Sequence, residues 1–282
     1  MRHLLLACAL FLPGLASAAC PSDAAVAQMA EANIAGRPVE PFAGLSMADA
    51  ECARDKLVPL LAKSFGRVTG YKAGLTAAAS QRRYGLDRPV RGMIFDSTLS
   101  TRSGTEIPLV PPLAGLAVEP DLLVRVKDDG INTAGTDHVA ILRHIDLVIP
   151  FIELPRNPWS RAPDGPALVA GNVNARLGVI GTPIRVEATE DFARRLGSMT
   201  VVFSDNEREV ARAPGTALLD HPLNVIPWLV QDLARSGQRL HAGDIVSLGG
   251  FAASIPAQAG HTYTQRYEGL VAEPINISVR FR

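Results

Sequence analysis

The stretch from Leu116 to Val126 (LAVEPDLLVRV) places the tightest limit on what this chain can become. Its apolar residues mark a strand, and Glu119 and Asp121 stand two apart near its start. Alternate side chains of a strand point to the same face, so the two carboxylates project side by side. Paired like charges on a mostly apolar strand are destabilising unless water or a cation compensates them. Solvation on an exposed face is the plain reading. The other is a hard divalent cation such as Mg²⁺, which takes oxygen ligands and tolerates paired carboxylates.

The first residues have a separate logic. Met1-Arg2-His3 is a short basic start, Leu4 to Leu15 is apolar, and Ala16-Ser17-Ala18 satisfies the small-residue rule for signal cleavage. The apolar run is too short to span a bilayer. Residues 1–18 are therefore expected to be a removed export signal, with a periplasmic or secreted mature protein; a buried N-terminal helix is the alternative. Lipid anchoring at Cys20 ranks below plain export, because Ser17 stands where a lipoprotein site usually carries Leu. No other apolar run is long enough for a transmembrane helix, so a soluble mature protein is expected. Cleavage removes Cys8 and leaves Cys20 and Cys52, which an exported protein most simply pairs. Two free thiols remain the alternative.

Lys+Arg and Asp+Glu both number 28, so nothing points to nucleic acid or to an anionic membrane surface. The 24 glycines and 21 prolines predict turns, bulges and short strands rather than a helical bundle. Helices are expected over Ser22–Ile34 and Ser46–Lys63, the second opened by Ser46 with Asp49 three residues on. They form an N-terminal helical cap over residues 19–66, and 67–282 form a β-rich body. Strands are expected at Val68–Leu75, Met93–Phe95, Leu122–Val126, Ile145–Leu154, Ala257–Tyr263 and Ile275–Phe281. Asp205-Asn206 joins a hairpin of Met199–Ser204 and Glu209–Arg212. Thr76 is expected to cap a short helix reaching Tyr84, residues 157–166 to be a loop, and His221–Ser236 to be a helix. One α+β domain is the simplest architecture.

Four stretches taken together resemble the fumarylacetoacetate hydrolase superfamily, more narrowly its 2-keto-4-pentenoate hydratases and 4-oxalocrotonate decarboxylases. They are Gly70-Tyr-Lys-Ala-Gly-Leu-Thr76, Val118-Glu-Pro-Asp121, Ile149-Pro-Phe-Ile-Glu153, and His221-Pro-Leu-Asn224 continued by Gly243-Asp-Ile245. The resemblance runs from about Ala24 to the C-terminus. It implies a β-roll or partly open barrel with a central pocket, in a homo-oligomer. It also implies that Glu119, Asp121 and Glu153 hold Mg²⁺ or Mn²⁺, that Lys72 is an active-site lysine, and that Asn172 lies near the same pocket. The substrate it implies is a small 2-oxo or 2-hydroxydienoate acid, as in aromatic compound catabolism, with water added to give a 4-hydroxy-2-oxo acid.

The chain departs from that pattern in places. Asp121 replaces a second Glu, and Gly171 stands where an Asp is frequent. Val90-Arg91 occupies a segment that often carries an acid, Ala117 replaces a basic residue, and Leu154-Pro-Arg156 replaces a Ser-Arg turn. The metal acids are kept while groups that would move protons differ. Two other readings therefore stand beside a hydratase: a non-catalytic, metal-dependent 2-oxo-acid binding protein, and a C–C bond hydrolase. The hydrolase needs a base, for which His138, His144, His221 and His261 qualify by residue type alone.

Overall fold

The computed structural model describes residues 20–99 and 101–282, so the expected export signal over 1–18 lies outside the described residues. Serine opens both N-terminal helices, α1 (Asp23–Ile34) and α2 (Met47–Phe65). Ser22 accepts from the Ala25 N–H, and Ser46 and Asp49 complete a reciprocal capping box. Strand β1 (Val68–Gly74), helix α3 (Ala78–Arg83) and strand β2 (Val90–Phe95) follow, then short strands β3 (Thr101–Arg102) and β4 (Thr105–Ile107). The middle of the chain holds β5 (Ala117–Val126), α4 (His138–Leu142), β6 (Ile145–Leu154), α5 (Gly165–Ala170), β7 (Leu177–Ile180), β8 (Ile184–Arg185) and α6 (Glu190–Ser198). The last third holds β9 (Thr200–Asp205), β10 (Arg208–Pro214), α7 (Val225–Arg235), β11 (Ile245–Ser247), β12 (Ile255–Pro256), β13 (Thr262–Glu268) and β14 (Ile275–Phe281).

Two sheets make an α+β body with a curled, partly open barrel. One runs β2-β1-β11-β5-β6-β7-β3, with β12 added to β5 and β8 to β6; the other runs β10-β9-β13-β14-β4. Strands β5 and β6 are buried almost throughout, because both of their faces meet protein. On one face Leu122, Val124, Val126 and Val148 pack against α4, α6 and α7 through Ile141, Leu196, Ile226 and Leu229. Towards one end of the pair, Val118, Ile152 and Leu154 meet the second sheet at Phe203, Tyr263, Ile277 and Phe281. The opposite face carries a small apolar group, Leu123, Ile149 and Phe151, and the polar residues described below. Helices α1 and α2 bury Val26, Met29, Leu57 and Leu61 against Val90, Phe95 and α5. A disulfide joins Cys20 to Cys52, tying the start of the described chain to α2. Among the described residues no helix is long and apolar enough to cross a membrane.

Several boundaries differ from the sequence-based expectations. Thr76 does not cap α3, whose N-cap Ala77 makes no side-chain bond; the threonine is buried beneath the backbone of Gly249. The loop expected over 157–166 stops two residues early, because Asp164 caps α5 at Gly165 and Pro166 sits where a helix tolerates proline. The strand expected at Ala257–Tyr263 lies at Thr262–Glu268, where Tyr263, Gln265 and Tyr267 alternate inward. His221 caps a short 3₁₀ turn, and the α-helix proper starts at Val225.

Candidate metal centre

Register brings the acids together. Glu119 lies directly opposite Glu153 in the antiparallel β5–β6 pair, and Asp121 lies opposite Phe151. Lys72 on β1 pairs with Ser247 on β11, which pairs in turn with Leu123 on β5. Directly opposed residues in a sheet project to the same face. Lys72, Ser247, Glu119, Asp121 and Glu153 therefore reach one face from four strands. Close strand approach at Lys72 rests on its flanking glycines. A Cβ at Gly70 would strike the Ile245 carbonyl, and one at Gly74 would lie 2.6 Å from Val173 Cγ1.

Each side chain has a definite role in the arrangement. Lys72 Nζ donates to Glu153 Oε1 and, at 3.1 Å, to the Val173 carbonyl. Asp121 is fully buried; Ser247 Oγ donates to its Oδ2, and the Leu122 and Gly249 N–H groups donate to its Oδ1. From the second sheet, Tyr267 Oη and Gln265 Nε2 donate to the Asp121 carbonyl. Glu119 is half-buried with its Oε1 against Gly250, a position where a Cβ would collide with that oxygen. It lines a cleft of about 1120 Å³, open mouth included, together with Lys72, Thr76, Arg83, Asn174 and Phe251. Glu153 Oε2 is buried without a hydrogen-bond partner.

The electrostatics follow from three carboxyls, Asp121 and Glu153 buried and Glu119 half-buried, facing one ammonium. Burial first, then the Glu153 charge, pushes Glu119 up to about 8. Burial and Glu153 push Asp121 up to about 7, against the opposing bonds from Ser247 and Leu122. Burial also raises Glu153, outweighing the Lys72 charge beside it. Burial alone would lower Lys72, but Glu153 and Glu119 together hold it above its ordinary value. The cluster is short of positive charge and retains protons at neutral pH.

These residues fit a hard divalent cation in kind and in charge. Their donors are carboxylate oxygens, one of them buried and unpartnered, and the surplus charge is negative. As they stand, they do not converge on a common ion position. Among the described residues no group of three His, Cys, Asp or Glu side chains does so. Glu153 leans to Lys72, and Asp121 is turned to Ser247 and Gly249.

Asn172 lies behind the site rather than in it. Its amide accepts from the Met93 N–H at 2.7 Å and donates to the Met93 carbonyl at 3.0 Å, clamping β2. It opens a run of three residues with left-handed backbone, Asn172, Val173 and Asn174 (φ 59°, 52° and 58°). That conformation strains a β-branched residue such as Val173, and it aims the Val173 carbonyl at Lys72. The four histidines lie elsewhere: none lines the Lys72 cleft or the adjoining cavity. His138 and His221 stack at 3.8 Å, and His144 and His261 pair with Asp128 and Asp205. Sequence reasoning missed Ser247, the Gly249 N–H, Tyr267 and the Val173 carbonyl, which enter only through tertiary pairing.

No family model matches the chain. It is 31% identical over 210 residues to the TodF product hydratase of Pseudomonas putida, covering 72% of this chain and 74% of that protein. It is 28% identical over 257 residues to the 2-keto-4-pentenoate hydratase of Burkholderia vietnamiensis, covering 86% and 92%. Among solved structures, the 4-oxalocrotonate decarboxylase of Pseudomonas putida G7, complexed with magnesium and adipate, matches with a TM-score of 0.78. The identity there is 24%, over 94% of this chain and 100% of that one. A fumarylpyruvate hydrolase from Pseudomonas aeruginosa, in complex with Mn²⁺ and pyruvate, matches with a TM-score of 0.54 at 16% identity, over 75% and 88%. The chain belongs to the family of 2-keto-4-pentenoate hydratases and 4-oxalocrotonate decarboxylases, and its fold is that of fumarylacetoacetate hydrolase-family structures.

Proposed function

We propose that the protein is a metal-dependent hydro-lyase that adds water to a small 2-hydroxydienoate acid, giving a 4-hydroxy-2-oxo acid. The observation that carries this reading is Glu119 set directly opposite Glu153, with Asp121 on the same face and Lys72 bonded to Glu153. The hydratase names of its relatives support it. Glu119, Asp121 and Glu153 would hold Mg²⁺ or Mn²⁺, which supplies Lewis-acid polarisation of a 2-oxo acid's oxygens when bound. Lys72 sits where its ammonium stabilises negative charge on the 2-oxygen as the dienol becomes a ketone. The cleft orients the acid and directs water to the distal carbon of its conjugated system.

A second reading, a binding protein without turnover, is favoured by one observation. Asn172 is buried, lies outside the lining of the cleft, and already spends a bond from each amide atom on Met93, so it serves β2 rather than a ligand. We further propose that residues 1–18 are a cleaved export signal, that 19–66 and 67–282 are cap and body, and that the mature protein is periplasmic or secreted. The Cys20–Cys52 disulfide supports an oxidising compartment. Assembly as a homo-oligomer is part of the same proposal.

The test is calorimetric titration of Mg²⁺ and then oxalate, which imitates the enolate of a 2-oxo acid, into wild type and Glu119→Ala. Metal-dependent oxalate binding that the substitution abolishes, with turnover of 2-hydroxypenta-2,4-dienoate, is the expected result. Oxalate binding without turnover of any 2-oxo acid leaves the binding-protein reading. A Glu119→Ala protein that turns over substrate like wild type removes the site assignment.

A further inference from the structure

His138 opens α4, and His221 caps the short 3₁₀ turn Pro222–Asn224 that leads into α7. Their rings stack with centroids 3.8 Å apart and planes 17° from parallel. The pair is seated against α6. His221 Nε2 donates to the Ala193 carbonyl at 2.9 Å, and a Cβ at Gly197 would lie 2.7 Å from His221 Cδ2. The other ring nitrogen, Nδ1, accepts from the Leu223 N–H at 3.1 Å. Both nitrogens of His221 are thus spent in a way that only the neutral ring allows. A chain of bonds continues from the partner ring. Asn224 Nδ2 donates to the Leu219 carbonyl at 2.8 Å, which leaves its Oδ1 to accept from His138 Nε2 at 2.9 Å. These bonds close a turn in which Leu219 and Asp220 both have left-handed backbone (φ 45° and 66°), a strained conformation for leucine. Just before that turn, Ala217 lines the Lys72 cleft.

A second proton on His221 goes to Nδ1. It turns the acceptor for the Leu223 N–H into a donor, and two donors then face each other. It also sets a charge in a half-buried site against a second imidazole. The neighbouring charges are already engaged or lie in solvent. On α4, Asp137 spends Oδ1 on the Ala140 N–H; on α6, Glu190 is exposed and Arg194 is a cation bonded to Asp191. Asp220, on the turn itself, is exposed, and on α7 Asp232 is held by Arg91 and Arg235. The 3₁₀ turn Gly215–Ala217 brings no charge. Burial holds His221 below its ordinary 6.5, against the bond to Ala193, and His138 lowers it further. The closed turn therefore has its full stability above pH 6.5 and loses it as pH falls towards the lowered value. We propose that the His138–His221 stack is an acid-released clasp: protonation of His221 undoes the Leu219–Asp220 turn and frees the cleft wall at Ala217. The acidic face responds in the opposite sense, since Glu119 keeps its proton up to about 8. Acid loosens this corner of the molecule while it favours the carboxyl cluster.

The test is hydrogen exchange read by mass spectrometry on the oxidised mature protein at pH 7.5 and pH 5.5, corrected for the intrinsic pH dependence of exchange. Opening binds one extra proton, so the open population rises by up to about tenfold per pH unit. The expected result is exchange at least about threefold faster at pH 5.5 in peptides covering 215–225, with α1 and α2 unchanged. In His221→Asn the pH effect should vanish, because Asn keeps a cap acceptor for the Leu223 N–H and does not titrate. Unchanged exchange over 215–225 in wild type, an equal rise in α1 and α2, or a rise that persists in His221→Asn overturns the proposal. The wild-type comparison stands whether or not the variant folds. Imidazole NMR of the wild type gives an independent reading. A histidine that titrates below 6.5 is expected, and a protein in which every histidine titrates at or above 6.5 overturns the proposal.

Discussion

Replacing Lys72 with methionine removes the ammonium that faces the acidic cluster while keeping most of the side-chain volume. The Lys72 and Glu153 side chains are 7% and 5% exposed, so solvent screens their pair very little. Removing one partner of such a pair costs about 3–5 kcal/mol, because the remaining charge is stranded. That cost applies only while Glu153 is ionised. Burial already raises its proton affinity, and losing the lysine raises it further, so mild acid neutralises the stranded group. The variant should therefore lose about 3–5 kcal/mol at pH 8 and only about 1–2 kcal/mol at pH 5.5, the remainder reflecting the lost bond to the Val173 carbonyl. In a chain of this size that corresponds to roughly 10 °C in Tm at the higher pH. Urea unfolding followed by tryptophan fluorescence, in metal-free buffer at both pH values, measures the difference. An equal loss at both pH values, or less than about 1 kcal/mol at pH 8, would refute the claim that Lys72 compensates an ionised Glu153.

Four further outcomes follow from the same structure. Glu119 retains its proton up to about pH 8 when folded, against an ordinary 4.5. Its contribution to stability is thus complete below about pH 4.5 and lost as pH rises through 8, so the metal-free protein should weaken across pH 5–8. Mg²⁺ titrations near pH 7 in buffers of different ionisation enthalpy should show proton release, and none would count against the raised carboxyls. Reducing the Cys20–Cys52 bridge, whose ends are 32 residues apart, should cost about 3–4 kcal/mol by loop entropy. Urea midpoints with and without dithiothreitol test this. Tyr267→Phe removes the buried hydroxyl bonded to the Asp121 carbonyl and the Phe151 N–H, and should cost about 1–3 kcal/mol with weaker oxalate binding.

The body of the fold was readable where local pattern and burial agree. Ile145–Leu154 and Ile275–Phe281 end where their apolar runs predict, and Ser22 and Ser46 open their helices as caps should. Helix α6 was missed although its signal is local: Thr189 caps it, acids fill its first turn, and Phe192 and Leu196 recur at helical spacing. Helix α5 was missed because the three prolines of 157–166 outweighed its six mostly apolar residues. At the site, the spacing of Glu119 and Asp121 showed a shared face. That Glu153 sits opposite Glu119 depends on β5–β6 register across a long connection, which no local pattern encodes. Ser247 gave no signal at all. A serine within a strand is ordinary until its surroundings are known.

The topology of the acidic face also governs when in folding the site can exist. Lys72 meets Glu153 across 81 residues, Ser247 meets Asp121 across 126, and Gln265 meets Asp121 across 144. The parallel β1–β11 pair that sets Lys72 beside Ser247 joins the first third of the chain to its last. Contacts of such high order close late, after most loop entropy has been lost. The metal-compatible cluster is accordingly a product of the finished fold rather than a nucleus for it. A cation that fits it should slow unfolding and leave the refolding rate almost unchanged. Held in this way, a bound ion would act as a latch on the native state: it would lengthen the lifetime of the folded protein without helping the chain to reach it.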